Sequence, residues 1–343
     1  MQRKSPLSAM SSDRLLIRLS GADDALSRLD ERVRACAYRS GYIARRDFAE
    51  AVAWSWTQGA VTSLEDLVLH DQGMDVRAPN QGLQAAHALV LARRKATIGG
   101  SGLLSIEGAG WLSGRRRKPP VGGSVTRRPP LPADDPDAPG IVDQLAGQLI
   151  ALERGDSAGV DGGIQEWFAF MDSLPAAAPA VLRAAALVEA WWIIDPLPRQ
   201  RYLGGVLAGL WLTGQRRVTS HVVGLEVGLR TLPRRGAEFR GGDVVRRLGF
   251  WLAVIAQSAE DGLQELKRLE LARQVMAQQV AGRRAHARVA DVMMLLLELP
   301  VVTAPVIAQR LGITQQSARR SLEDLGSVVV EISGRSRFRA WRL

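Results

Sequence analysis

The sequence predicts an all-α chain: a helical bundle followed by a C-terminal winged helix-turn-helix that carries a small β-hairpin. Three observations predict it. Apolar residues recur at steps of three and four over most of the length. Gly- and Pro-containing stretches interrupt that pattern at a few places. Two β-branched or alternating runs close the chain.

In order, residues 1–12 are polar and are expected to fray. From Asp13 to Phe48 the helical spacing is carried by Leu15, Leu16, Leu19, Leu26, Leu29, Val33 and Ala37. Asp47 to Leu69 continues it, with Thr62 or Ser63 as a helix cap and Glu65 and Asp66 in the first turn. Gly82 to Ala96 is a further helix. Residues 97–140 break the pattern with Gly, Pro and charge, and read as a long surface loop. Helices resume at Ile141–Glu153, Ile164–Met171, Ala180–Ile194, Leu203–Leu212, Ser220–Leu229, Gly242–Ser258 and Asp261–Leu299. Asp195-Pro196-Leu197-Pro198 stops one of them, because proline lacks the amide proton and clashes with the preceding turn. The expected domains are 13–96 (N-terminal helical), 97–140 (basic Gly/Pro-rich loop or linker), 141–299 (helical core) and 300–343 (winged helix-turn-helix).

Composition narrows the function. Hydrophobic residues make up 46% of 343, enough for packed cores and too many for a disordered chain. Lys and Arg number 45 against 35 acids, so the chain carries +10, a surplus that fits a polyanionic partner. Cys36 is the single cysteine, which excludes an internal disulfide and points to a reducing cytoplasm. None of the four histidines, His70, His87, His221 and His286, sits beside another metal ligand at a useful spacing, so no metal and no cofactor is expected. No signal peptide is read at the N-terminus, and the most apolar run, Leu203 to Thr213, is too short to span a bilayer. The Gly-rich Gly159–Gly163 lacks the Lys-Ser/Thr of a phosphate loop. Trp191-Trp192 reads as core rather than as a stacking platform.

The last segment is the most informative. Thr303 caps a short helix, Ala304 to Leu311, with Ile307, Ala308 and Leu311 inward. Gly312 permits the sharp turn, Ile313 plugs it, and Thr314 caps a second helix from Gln315 to Leu325. Ala318, Leu322 and Leu325 form its inner stripe. Its outward face carries Gln315, Gln316, Arg319 and Arg320, with Ser317 at the edge. Gln bonds adenine edges, Arg bonds guanine edges, and Ser and Thr reach phosphates. Val328–Ile332 and Phe338–Arg342 would form a wing with Arg335 and Arg337 at its basic tip. Residues 301–343 hold seven arginines against three acids. Arg115, Arg116, Arg117, Lys118, Arg127 and Arg128 in the central loop are secondary candidates for the DNA backbone, or else a solvated linker.

The stretch from Val302-Thr303-Ala304-Pro305 to Leu325 resembles the winged helix appended to many enzymes of the Fic family, which transfer AMP or a similar group from a nucleotide. Glu50–Leu67, followed by Asp75-Val76-Arg77, is similar to the Fic N-terminal segment, with Ser55-Trp56-Thr57-Gln58-Gly59 in place of its Ser-x-Ile-Glu-Gly stretch. The family's inhibitory glutamate would fall at Gln58 and is absent. Trp167 to Gly209 resembles the region around the HPFxDGNGR loop, yet here the loop reads Asp195 to Leu203 and only Pro196 matches, with Gly205 beyond it. The resemblance implies a bacterial group of Fic-related helix-turn-helix proteins whose catalytic base has become Asp195, so nucleotidyl transfer is expected to be lost. Arg199 and Arg201 would be either a remnant anion site or a surface turn.

The expected function is sequence-specific binding of double-stranded DNA in transcriptional regulation, with a homodimer in view and no membrane partner. Two alternatives stay open: a divergent Fic-type nucleotidyl transferase with a DNA-binding tail, and an antitoxin-like or partition interaction module.

Overall fold

The computed structural model describes residues 6–75, 78–120, 140–155, 159–232, 243–280, 286–332 and 339–343, with the backbone alone at 6–12, 280, 286–288 and 327. Among them the fold is all-α with one small sheet near the C-terminus, as the apolar spacing predicts. The chain divides into two compact units, each built from two stretches of sequence: Met1–Glu31 with Ala88–Glu260, and Arg32–His87 with Asp261–Leu343.

The helices are α1 (Pro6–Ala35), α2 (Arg39–Thr57), α3 (Leu64–Asp71), α4 (Gln81–Gly99), α5 (Ile106–Leu112), α6 (Ile141–Glu153), α7 (Val160–Ser173), α8 (Ala180–Ile194), α9 (Tyr202–Gly214), α10 (Glu226–Thr231), α11 (Val244–Val280), α12 (His286–Glu298), α13 (Ala304–Leu311) and α14 (Gln315–Asp324). The strands are β1 (Val302–Thr303), β2 (Val330–Glu331) and β3 (Ala340–Arg342).

The first unit is organised around α8 and α9. Their sequences, AVLRAAALVEAWWII and YLGGVLAGLWLTG, are apolar almost all round, and such a helix belongs inside a core. They pack on each other, with α6 and α7 against α8. Trp167, Trp191 and Trp251 are fully buried, so Trp191 is core as its sequence predicts, while Trp192 is half-buried. Gly204 permits the close approach of the two helices: a Cβ there would sit 2.5 Å from Trp191 Cγ. Charge enters this interior only in company. Glu189 accepts from Trp251 Nε1 at 2.7 Å and from Arg247 Nε at 2.5 Å, and Arg247 also bonds Glu153. Burial pushes the Glu189 carboxyl above its ordinary range, opposed by Trp251 and Arg247.

Five expectations change. The helix foreseen over Asp13–Phe48 is two helices, broken at Cys36–Tyr38, where Tyr38 leaves helical geometry (φ −107°, ψ 37°) and its hydroxyl donates to Glu270 at 3.0 Å. At the other end of α1 the helix already runs from Pro6. The loop foreseen over 97–140 contains α5, capped by Ser105, whose hydroxyl oxygen accepts from Gly108 N at 3.0 Å. Its short apolar stripe, Ala109 and Leu112 with Leu103 and Leu104 before it, is buried. The helix foreseen over Ser220–Leu229 is confined to α10. Ahead of it the backbone is claimed from outside: Asp30 accepts from Thr219 N (2.8 Å) and Ser220 N (2.7 Å), and Arg93 donates to Val222 O at 3.0 Å. Finally, α11 runs unbroken through Ser258–Asp261, and residues 281–285, between it and α12, lie outside the described residues.

The second unit joins α2 and α3 to the end of α11, to α12–α14 and to the sheet. Ser63 caps α3, its hydroxyl oxygen accepting from Asp66 N at 3.0 Å, with Glu65 and Asp66 in the first turn. Arg46 and Glu50 form a buried pair one turn apart on α2, 2.7 Å from nitrogen to oxygen. The sheet is antiparallel with order β1-β3-β2, Val302 opposite Trp341 and Val330 opposite Arg342. Its first strand is an addition to the two expected, and the described strands are shorter than Val328–Ile332 and Phe338–Arg342: Val328 closes a 3-10 turn and residues 333–338 lie outside the described residues.

Candidate nucleic-acid interface

Three helices and the sheet shape the C-terminal site. α12 packs on both α13 and α14, which also pack on each other. Thr303 stands at the start of α13 in extended conformation, its hydroxyl oxygen accepting from Val306 N at 3.4 Å, and Pro305 follows where a missing amide proton costs nothing. Gly312 ends α13 in the left-handed region, φ 62°, which a side chain would resist. Ile313 N then bonds Ala308 O at 3.0 Å, closing the helix end. Two residues on, Thr314 caps α14, accepting from Ser317 N at 3.1 Å. Ala318, Leu322 and Leu325 are buried, so the inner stripe of α14 is the predicted one. Ile307 is buried on α13, whereas Ala308, Leu311 and Ile313 are half-buried.

Burial of one side of α14 leaves the other exposed. Thr314, Gln315, Gln316, Arg319 and Arg320 are exposed and Ser317 is half-buried. Among the described residues neither Arg319 nor Arg320 makes an ion pair, so both guanidiniums are available to a phosphate or a base edge. Two further exposed residues escaped the sequence reading. Arg310, in the last turn of α13, also lacks an ion pair among the described residues, and its signal was its place two residues before the turn glycine. Glu323 stands on the outer side of α14. Arg339, ahead of β3, pairs with Glu331 at 3.5 Å, and Arg342 with Glu65 at 3.4 Å.

The remaining candidates separate. Arg335 and Arg337 lie outside the described residues, as do Arg127 and Arg128. Arg115, Arg116, Arg117 and Lys118 follow α5 in the first unit and are exposed. Arg115 pairs with Asp161 at 2.9 Å, and Arg116 approaches Glu107 at 4.0 Å. Asp195 ends α8 in the left-handed region (φ 47°) and accepts from Arg201 Nε at 2.8 Å. Arg201 in turn lies over the Trp192 ring, 5.3 Å from its centroid, and the Asp195 hydrogen bond holds its guanidinium above the ordinary pKa. Arg199 is exposed. Among the described residues no group of three or more His, Cys, Asp or Glu side chains is placed to hold a metal, and no helix is long and apolar enough to cross a membrane.

Comparison with known proteins gives this geometry a context. Residues 289–343 match a family model described as an HTH DNA binding domain, and they contain α13, α14 and the sheet. Residues 159–281 match a model described as "Protein of unknown function (DUF1612)". The uncharacterized protein y4cF of Sinorhizobium fredii (strain NBRC 101917 / NGR234) is 31% identical over 361 residues, covering 92% of this chain and 93% of that protein. The chain belongs to the DUF1612 family. This DUF1612 protein therefore ends in a helix-turn-helix DNA-binding domain, and a DNA-binding role follows from that domain. The DUF1612 match covers α7 to α11.

Proposed function

We propose that this DUF1612 protein is a sequence-specific regulator of transcription that places α14 in the major groove of duplex DNA. The observation that carries the reading is the exposure of Gln315, Gln316, Arg319 and Arg320 on a helix whose opposite side is anchored by Ala318, Leu322 and Leu325. In this reading Gln315, Gln316 and Arg320 choose bases, while Arg319 and Arg310 engage phosphates along with Thr314 and Ser317. The sheet serves as a wing, and Arg335 and Arg337, which lie between β2 and β3 in the sequence, reach the flanking phosphates or minor groove. Arg117 and Lys118 add backbone affinity with Arg115, Arg116, Arg127 and Arg128. One helix of ten residues spans few base pairs, so the reading includes a homodimer on paired half-sites.

Residues 141–299 are then a Fic-like core without nucleotidyl transfer. Supporting this, Asp195 falls where the resemblance to Fic enzymes would put the catalytic histidine, and its carboxylate is engaged by Arg201. A nucleotide-transfer assay checks that part: turnover that disappears in Asp195→Ala would restore the enzyme reading. The main reading is tested by selecting duplexes from a random oligonucleotide library with the full-length protein. Enrichment of a defined sequence is the expected result. Indifference to duplex DNA even at low ionic strength would end it.

A further inference from the structure

Resting on the DNA-binding reading of α14, we propose that Glu323 is a specificity-determining residue that accepts a hydrogen bond from the exocyclic amino group of a base, cytosine N4 or adenine N6.

The placement comes from helix geometry. Residues one or two turns apart share a face, so Gln316, Arg320 and Glu323, at steps of four and three, lie along one line. That line is opposite the buried set Ala318, Ser321, Leu322 and Leu325, and all three of its members are exposed. Gln316 and Arg320 cannot enter a groove along this line without bringing Glu323 towards the same duplex.

Glu323 is also uncommitted. It stands four residues after Arg319 and three after Arg320, the separations at which helical ion pairs form. Among the described residues it makes no ion pair with either. Its neighbour Asp324, by contrast, is half-buried and has a partner. A bare carboxylate facing a polyanion is repelled everywhere except where it meets a donor. The major groove offers such donors only as the amino groups of cytosine and adenine, and a carboxylate accepting from cytosine N4 is a recognised pairing. The same repulsion penalises binding to sites that lack the donor, so one side chain supplies both attraction to the correct base and rejection of others.

The spacing makes the proposal specific. Seven residues separate Gln316 from Glu323, about 10.5 Å along a helix axis at 1.5 Å per residue. With base pairs about 3.4 Å apart, the base read by Glu323 lies about three steps from the base read by Gln316. This requires α14 to lie along the groove; a helix entering by its N-terminus alone would leave Glu323 outside.

The test is the same library selection, run with the full-length wild type, Glu323→Gln and Glu323→Ala. Circular dichroism and melting temperature verify that both variants fold; the residue is exposed, so neither is expected to move. The expected result is a wild-type site with a cytosine or adenine about three base pairs from the position whose preference is lost in Gln316→Ala. In Glu323→Ala the preference at that one position falls about tenfold, in Glu323→Gln it turns to adenine, whose N6 and N7 an amide bonds, and the remaining positions are unchanged. If the variants bind every duplex more tightly by a common factor and keep all base preferences, Glu323 acts by repulsion alone and the proposal is overturned, while the DNA-binding reading stands. If the wild type enriches no sequence, both fall.

Discussion

Arg45, on α2, donates to the carbonyl oxygen of Leu299, 2.9 Å away and one residue beyond the end of α12. The same guanidinium donates to Leu297 O at 3.1 Å and to Leu296 O. The last carbonyls of a helix have no partner within it and carry the negative end of its dipole, so a buried cation there meets both needs. Gly41, one turn before Arg45, makes the approach possible: a Cβ at Gly41 would lie 2.4 Å from Leu297 O. We expect Arg45→Met to cost about 2–3 kcal/mol, because buried carbonyls lose a charged donor. Urea denaturation would show a lower midpoint at an unchanged slope. Arg45→Lys should recover only part, since an ammonium cannot fork across three carbonyls. A wild-type midpoint in Arg45→Met would show that the clamp contributes nothing.

The turn between α13 and α14 depends on two residues. Gly312 has φ 62°, and Thr314 accepts from Ser317 N. Gly312→Ala should cost roughly 1–2 kcal/mol through the left-handed backbone alone, as no atom lies within 4 Å of the added Cβ. Thr314→Ala should cost about 1 kcal/mol through the lost cap, and Thr314→Ser should restore most of it. Thermal melts of the three variants give the comparison. A Gly312→Ala protein as stable as wild type would mean that the turn can relax to another conformation.

These local signals explain why the C-terminal site was legible. Caps, a turn glycine and an apolar stripe act within a few residues, so Thr303, Gly312, Thr314, Ala318 and Leu322 could be placed from the chain alone. The boundaries of α6 and α8 were legible for the same reason. Distant partners were not. Ser220 to Leu225 belongs to the stretch expected to be helical, but Asp30 and Arg93 take the backbone groups of Thr219, Ser220 and Val222 from far along the sequence. The strand Val302–Thr303 is two residues long and exists through its pairing with Ala340 and Trp341. The exposure of Glu323 was implicit in the same periodicity that gave the inner stripe; reading amides, guanidiniums and hydroxyls as the groups that meet DNA passed over an acid.

Asp30 yields a pH prediction. Its carboxylate accepts from Thr219 N, Ser220 N and the Thr219 hydroxyl, at 2.8, 2.7 and 3.0 Å. Burial raises its pKa, and the hydrogen bonds from Ser220 and Thr219 outweigh it, leaving the value below the ordinary one. A carboxyl whose folded pKa is depressed binds its proton more weakly in the fold than in the unfolded chain. Its stabilisation is therefore complete above the unfolded value of about 3.9 and is lost as pH falls through the lower, folded value. Asp30→Asn should be less stable at pH 7 by about 1–2 kcal/mol, with an amide group facing two backbone donors. The gap between wild type and variant should close at the acid end of a denaturation series. A gap that stays constant down to pH 2.5 would assign the effect to packing instead.

On DNA, arginines and glutamines of α14 should separate by what they lose. Arg319 and Arg310 are exposed cations without ion pairs among the described residues, suited to phosphates that are the same at every site. Arg319→Ala and Arg310→Ala should weaken binding to the selected duplex and to unrelated duplexes alike. Each should also flatten the plot of log affinity against log salt by about one unit, because one phosphate contact releases about one counterion. Gln316→Ala removes a base contact and should leave the salt slope intact while costing about 1–3 kcal/mol on the selected duplex alone. Fluorescence anisotropy at four salt concentrations with two duplexes measures both quantities for each variant. Should Arg319→Ala lose affinity for the selected site only, its guanidinium would be reading a base, and the division of labour along α14 would have to be redrawn around Arg319 rather than Gln316.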